Sequence, residues 1–187
     1  EARAAYQRAV RLALTTSERQ ALAATVHIVE LDVASGDTAA ALQLGRPLAV
    51  SVRHLGRRET RFELLTLIFS ALLLADNLEE ARAVGAELYE LAERLDAGKL
   101  HTALDAMALL ACRQDHHAAA ARIAACADSA RDARGQASRR PCEERVRTEV
   151  VSALDAHLGP AWRTLGAERH EVLTELGACS LALGRSP

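Results

Sequence analysis

The sequence predicts an all-α chain folded as a stack of antiparallel helical hairpins, and three observations carry that expectation. Polar turn signals recur at Gly36-Asp37, Asp76-Asn77 and Asp115-His116, a period of about 40 residues, which suits two-helix repeats. Five places after each turn start stands an alanine (Ala41, Ala81, Ala120), and four places further on a second small residue (Gly45, Gly85, Ala124). Small side chains there let the second helix of a hairpin approach the first. Apolar residues make up 50% of the chain but aromatic residues only 3%, so the core has to be close-packed Ala, Leu and Val. No extended β-branched run offers a strand.

The elements follow in order. Residues 1–14 read as a helix with Tyr6, Val10 and Ala13 on one face, the second helix of a preceding repeat. Thr16-Ser17 stops it, and Ser17 caps the next helix with Gln20 as capping-box partner. Helix 18–35 carries Leu22, Val26, Val29 and Val33 in phase. Helix 38–55 carries the stripe Ala41, Gly45, Leu48, Val52 and Leu55, and Pro47 inside it predicts a kink or a split. Helix 59–75 is apolar on most sides, as an inner helix should be. Asn77 and Glu80 repeat the capping box, and helix 78–97 carries Leu78, Ala81, Gly85, Leu88, Ala92 and Leu95. Helices 100–113 and 117–134 form the third hairpin, with a thinner stripe of Ala120, Ile123, Ala127 and Ala130. The second helices end near Gly56, near Gly98 and at Gly135, where glycine suits the left-handed cap. The hairpin units are thus about 18–56, 59–97 and 99–134.

Residues 135–140 form the main break. Pro141 at a first helical position, with Glu143-Glu144 behind it, starts a helix that runs to Leu158 with Val146, Val150, Leu154 and Leu158 in phase. After Gly159-Pro160 come a short turn holding Trp162 and Leu165 and a last helix over 168–183 with Val172, Leu176, Cys179 and Leu183. About nine helices result. Residues 136–187 read as a segment capping the hairpins of 1–135, in one continuous domain.

Composition narrows the function classes. A net charge of −2, with Lys99 as sole lysine, provides no global basic field, so no direct nucleic-acid contact is expected. The longest apolar run, Leu64 to Ala75, is interrupted by Thr66 and Ser70 and is too short to span a membrane. No signal peptide is visible, and the chain opens on Glu1, so it is read as a fragment of a longer cytoplasmic protein. Cys112, Cys126, Cys142 and Cys179 show no CxxC pairing and read as buried free thiols in a reducing compartment.

Candidate chemistry is sparse. Gly98-Lys99 is followed by Leu100 where a phosphate-binding loop needs Ser or Thr, and GxSxG, HExxH and GxGxxG are absent. Cys112, Asp115, His116 and His117 lie close in sequence with His101 on the same hairpin, but they lack paired ligand spacing and read as a surface cluster. An enzyme using the His101/His116 region is the least favoured reading. Two basic clusters, Arg53, Arg57, Arg58, Arg61 and Arg131, Arg134, Arg139, Arg140, read as solvated hairpin ends. No catalytic residue, metal or cofactor is expected.

The turn, alanine and small-residue pattern resembles the tetratricopeptide repeat, with a longer period, few aromatics and no closing proline. The order His116-His117 to Arg122, an alanine-rich helix, the Pro141 link, Glu144-Arg145, Leu158-Gly159 and Trp162 resembles the C-terminal region of large bacterial regulators. These are LuxR-type and winged-helix signal-transduction ATPases, and the resemblance covers about residues 18–183. It implies a right-handed superhelical stack with the first helices lining a concave face. It also implies a sensory or autoinhibitory scaffold in a transcriptional regulator, with ATPase and DNA-reading modules elsewhere in the polypeptide.

On that mapping the inward positions are Val26, Glu30 and Val33, then Glu63, Thr66, Ser70 and Leu73, then Thr102, Asp105, Leu109 and Arg113. The carboxylates Glu30, Glu63 and Asp105 among small polar groups predict a groove for a peptide, or a small ligand, bearing a basic group. The expected partner is a protein or peptide, or another domain of the same chain. A stand-alone ligand-binding or dimerisation adaptor is the alternative.

Overall fold

The computed structural model describes residues 2–14, 17–94, 97–136, 138–165 and 173–185. Every described element is helical: α1 (Ala2–Leu14), α2 (Glu18–Ser35), α3 (Thr38–Leu55), α4 (Arg58–Leu74), α5 (Leu78–Ala92), α6 (Leu104–Arg113), α7 (His117–Asp132), α8 (Pro141–Leu158), α9 (Trp162–Leu165) and α10 (Glu175–Ala182). A 3-10 turn, Ala97–Ala103, feeds into α6. The helix beyond the nine expected is α9, the four-residue turn at Trp162. None of the described helices is long and apolar enough to cross a membrane.

The three hairpin turns share one geometry. Gly36, Asp76 and Asp115 are left-handed, with φ of 83°, 58° and 61°. The following amide reaches back five residues, from Asp37 to Asp32, Asn77 to Leu72 and His116 to Ala111, at 2.9 Å each. This Schellman closure satisfies carbonyls that the helix end would leave open. Asp37 and Asn77 then cap the second helix by accepting from the amides of Ala40 and Glu80. Ser17 does the same for Gln20, completing one half of the expected capping box.

Left-handed caps were expected at the ends of the second helices, and the structure corrects that in part. Gly135 is left-handed, with φ of 65°. Gly56 is extended, at φ −79° and ψ 161°, because Arg57 already serves as N-cap of α4 and the chain has no room to turn back. The Gly98 end borders residues 95–96, outside the described residues. So do Leu95 and Val172, and the side chain of Leu55.

Three boundaries differ from expectation. α5 ends at Ala92, the third hairpin opens with the 3-10 turn, and the last described helix starts at Glu175, where Thr174 accepts from the Gly177 amide. Pro47 does not split α3. It lies on the exposed side, where water can take the carbonyl its ring leaves unbonded.

The small-residue positions are interhelical contacts. Ala41, Ala81 and Ala120 are fully buried. A Cβ on Gly45 would stand 3.0 Å from Cγ1 of Ile68 in α4, and one on Gly85 3.3 Å from the Phe69 ring. The inner helices are buried most completely: all of 64–73 in α4 and all of 104–112 in α6. α4 lies between α2 and α6, while α3, α5 and α7 pack on the outside. After Gly135 the chain divides its work. α10 covers α7 and α6, whereas α8 packs against α2, α4 and α6 together.

Candidate functional site

Glu30, Glu63 and Asp105 all meet arginines at the N-terminal end of α8. Helix α8 begins at Pro141, with the Arg140 amide donating to Glu143 Oε2 at 3.0 Å. Its apolar stripe of Cys142, Val146, Val150 and Leu154 is buried, and Glu143 and Arg147 are buried within the same face. The face that meets the hairpins is therefore apolar with two charges set into it. A buried charge is tolerated only when paired, and each of these is.

Two clusters of ion pairs fasten the N-terminal end of α8. In the first, Arg140 Nη1 lies 3.1 Å from Glu30 of α2 and 3.0 Å from Glu63 of α4, and Nε reaches Glu143 at 3.0 Å. Cys142 Sγ adds a contact to Glu30 at 3.5 Å, and His27 Nδ1 lies 3.1 Å from the same carboxylate. In the second, Asp105 of α6 is 1% exposed and surrounded by guanidinium groups. Arg139 donates to it at 2.7 and 3.3 Å and Arg147 at 3.2 Å, with Arg131 at 3.8 Å. Asp128 of α7 takes the remaining donors of Arg139 and Arg147, at 2.5 and 2.7 Å, and Arg131 donates to Glu143 at 3.0 Å.

The guanidinium groups are held firmly charged. Burial would lower Arg139, but the hydrogen bonds and charge of Asp105, then of Asp128, more than offset it and leave it above its ordinary value. Arg140 is raised in the same way, burial being outweighed by Glu143 and by Glu30.

The structure therefore brings Glu30, Glu63 and Asp105 to one end of α8. The other sequence-chosen positions serve packing. The Thr66 and Ser70 hydroxyls donate to carbonyls of their own helix, Phe62 at 2.9 Å and Thr66 at 2.8 Å. The space left between them and Cys142 and Val146 is about 10 Å³, too small for a ligand. Thr102 donates to the Lys99 carbonyl at 2.8 Å. Arg113, at the far end, lies 3.6 Å from Glu149 of α8 and 3.8 Å from Asp76.

Two further expectations change. The arginines read as solvated ends are mostly paired: Arg131 is 3% exposed, Arg134 meets Glu175 at 2.6 Å, and Arg53 and Arg61 clasp Glu87 at 3.0 and 2.6 Å. His101 is buried apart from the histidines of the third turn. His117 stacks on His157 of α8 at 3.9 Å beside a cavity that Cys112 and Asp115 also line. Among the described residues no group of three or more His, Cys, Asp or Glu side chains is placed to hold a metal ion.

Sequence reasoning missed Arg139, Arg140, Glu143 and Arg147 as partners of the acidic face. One signal was available: Arg147 falls within the stripe of Val146, Val150 and Leu154, and an arginine in a buried stripe demands a buried carboxylate. Comparison with family models, with curated proteins and with solved structures found no match.

Proposed function

We propose that the chain is a non-enzymatic helical-repeat scaffold whose acidic inner face binds a basic amphipathic helix, and that α8 is the resident occupant of that face. The observation that carries this reading is the seating of Arg139, Arg140 and Arg147 on Asp105, Glu30 and Glu63, carboxylates drawn from all three hairpins. Recognition of a helix by a groove needs apolar anchors at three- and four-residue spacing and charges that set register. Cys142, Val146, Val150 and Leu154 supply the anchors, and the three arginines supply the register.

In this reading the module is a tetratricopeptide-like regulatory segment of a larger bacterial transcriptional regulator, as the sequence resemblance suggests. The groove is closed by its own chain until a competing helix, from a partner or from another domain, displaces α8.

The test is a labelled peptide of residues 138–158 offered to the intact chain. It should bind at least about tenfold more tightly when Arg139 and Arg140, just ahead of the resident helix, are both changed to alanine. Failure to bind either form contradicts the reading.

A further inference from the structure

The two ends of α8 are held differently. Arginines fasten its N-terminal end, whereas its C-terminal end meets α7 through two histidines. His117 is the first residue of α7 and His157 lies in the last turn of α8. Their rings stack face to face, with centroids 3.9 Å apart and planes 17° from parallel. We propose that this pair is an acid-released latch between α7 and α8, closed while at least one ring is neutral and opened when both are charged.

The surroundings decide which ring is charged first. His157 Nδ1 lies 2.8 Å from the Ala153 carbonyl, which can only accept, so Nδ1 carries the proton and Nε2 the lone pair. A proton added at Nε2 leaves that bond in place. Its charge sits at the C-terminal end of α8, where the helix favours a cation. The second proton has to go on His117. There it faces the first charge across the stack, and it stands at the N-terminal end of α7, where the helix opposes a cation. Two like charges that close repel by more than the thermal energy, even in water. His157 is exposed and His117 half-buried, so solvent protons reach both. Histidine is the side chain whose charge changes in mildly acidic water, so acid is what opens the stack.

The neighbouring groups provide for one of the two charges. Cys112 and Arg113 of α6 and Asp115 of the turn line the cavity beside the rings. Cys112 is a neutral thiol, burial holding its proton on. Arg113 is a further cation, placed 3.8 Å from Asp76 and 3.6 Å from Glu149 of α8. His116, the exposed N-cap of α7, can add only positive charge. Asp155 of α8 is taken by Trp162 and Arg163 of α9. Glu175 of α10 is held by Arg134 at the far end of α7. Asp115 has no ion pair among the described residues. It offsets one imidazolium, and the second finds no carboxylate. Opening frees the last turns of α8 while Arg139 and Arg140 keep its other end seated. The latch stands apart from the question of whether another helix can displace α8.

The experiment is NMR of the full chain at about pH 7.5 and about pH 5, either side of the histidine range. The ring signals are assigned by their loss in His117→Gln and His157→Gln. At the higher pH, nuclear Overhauser contacts should join the two rings. At the lower pH they should vanish. Hydrogen exchange, corrected for its intrinsic pH dependence, should show the amides of 154–158 opening about tenfold more often at the lower pH relative to those of 144–148. His157→Gln, an exposed change that leaves the fold intact, keeps one ring and removes the repulsion, so that ratio should not change with pH. His117→Gln should behave alike. Absence of the ring contact at the higher pH overturns the latch, as does its persistence at the lower pH with both rings charged. Acid opening of 154–158 that is undiminished in both variants overturns it too.

Discussion

Arg140 reaches Glu63 across 77 residues of sequence, Nη1 to Oε1 at 3.0 Å, and so ties the first turn of α8 to the second hairpin. The same nitrogen lies 3.1 Å from Glu30 in the first hairpin. One guanidinium thus ties two helical hairpins together. Arg140→Ala should cost about 1 kcal/mol, the pairs being partly exposed and discounted for screening. Urea unfolding followed by the single tryptophan checks this. Trp162 is buried, donates to Asp155 at 2.7 Å and lies near Arg147, so it reports on the docking of α8 and α9.

Asp105 should matter more. It is almost fully buried and is shared by Arg139, Arg147 and, at longer range, Arg131. Asp105→Ala removes the carboxylate and leaves those guanidinium groups facing each other, at a cost of about 3–5 kcal/mol. The midpoint of urea unfolding should fall accordingly. A loss no larger than that of Arg140→Ala would mean that the network is looser than its distances state.

The turns predict a gain. Asp115 holds φ of 61°, a conformation that favours glycine, and its equivalent in the first hairpin is glycine. Asp115→Gly should stabilise the chain by about 0.5–1 kcal/mol. The reverse change, Gly36→Ala, should destabilise because φ is 83°, whereas the Arg145 guanidinium that the added Cβ would meet is the end of a flexible side chain and can swing aside. Thermal unfolding of both variants checks the opposite signs.

His101 predicts a pH dependence. Burial lowers its value in the folded chain below the ordinary 6.5. As pH falls through 6.5, the unfolded chain takes up a proton that the folded chain refuses, so this group's contribution to stability is lost toward acid. Above 6.5 the contribution is constant. His101→Gln should flatten that part of the stability profile, read as urea midpoints at a series of pH values.

The thiols should be silent. Burial pushes Cys112 and Cys126 up to about 11, and Cys142 and Cys179 up to about 12. A thiol reagent at neutral pH should titrate almost none of them in the native chain and all four after unfolding. Cys126, the least buried, should react first.

Most of the hairpin architecture was legible in the sequence because its signals are local. The turns at Gly36-Asp37, Asp76-Asn77 and Asp115-His116, the caps at Ser17 and Asn77, and the helix stripes all act within a few residues, whereas the left-handed φ at Asp76 and Asp115 and the cap at Asp37 were not foreseen. The seat of α8 was not legible. The spacing of Val146, Val150 and Leu154 shows that one face is buried but not against what, and the partners of Arg140 lie 110 and 77 residues away. For the same reason the sequence singles out Glu30, Glu63 and Asp105 but gives no sign that a later stretch of the same chain supplies their partners. The 3-10 opening of the third hairpin escaped because Lys99, Leu100 and His101 carry no local signal that separates it from an α-helix.

The most direct test of α8 as occupant of the inner face is hydrogen exchange of its backbone amides in the intact chain. Seated among α2, α4 and α6, the amides of 145–154 should exchange about as slowly as those of 66–73 in α4, through opening of the whole fold. Exchange of α8 many orders of magnitude faster than α4, at the rate of an isolated helix, would contradict the seating and leave the acidic face open.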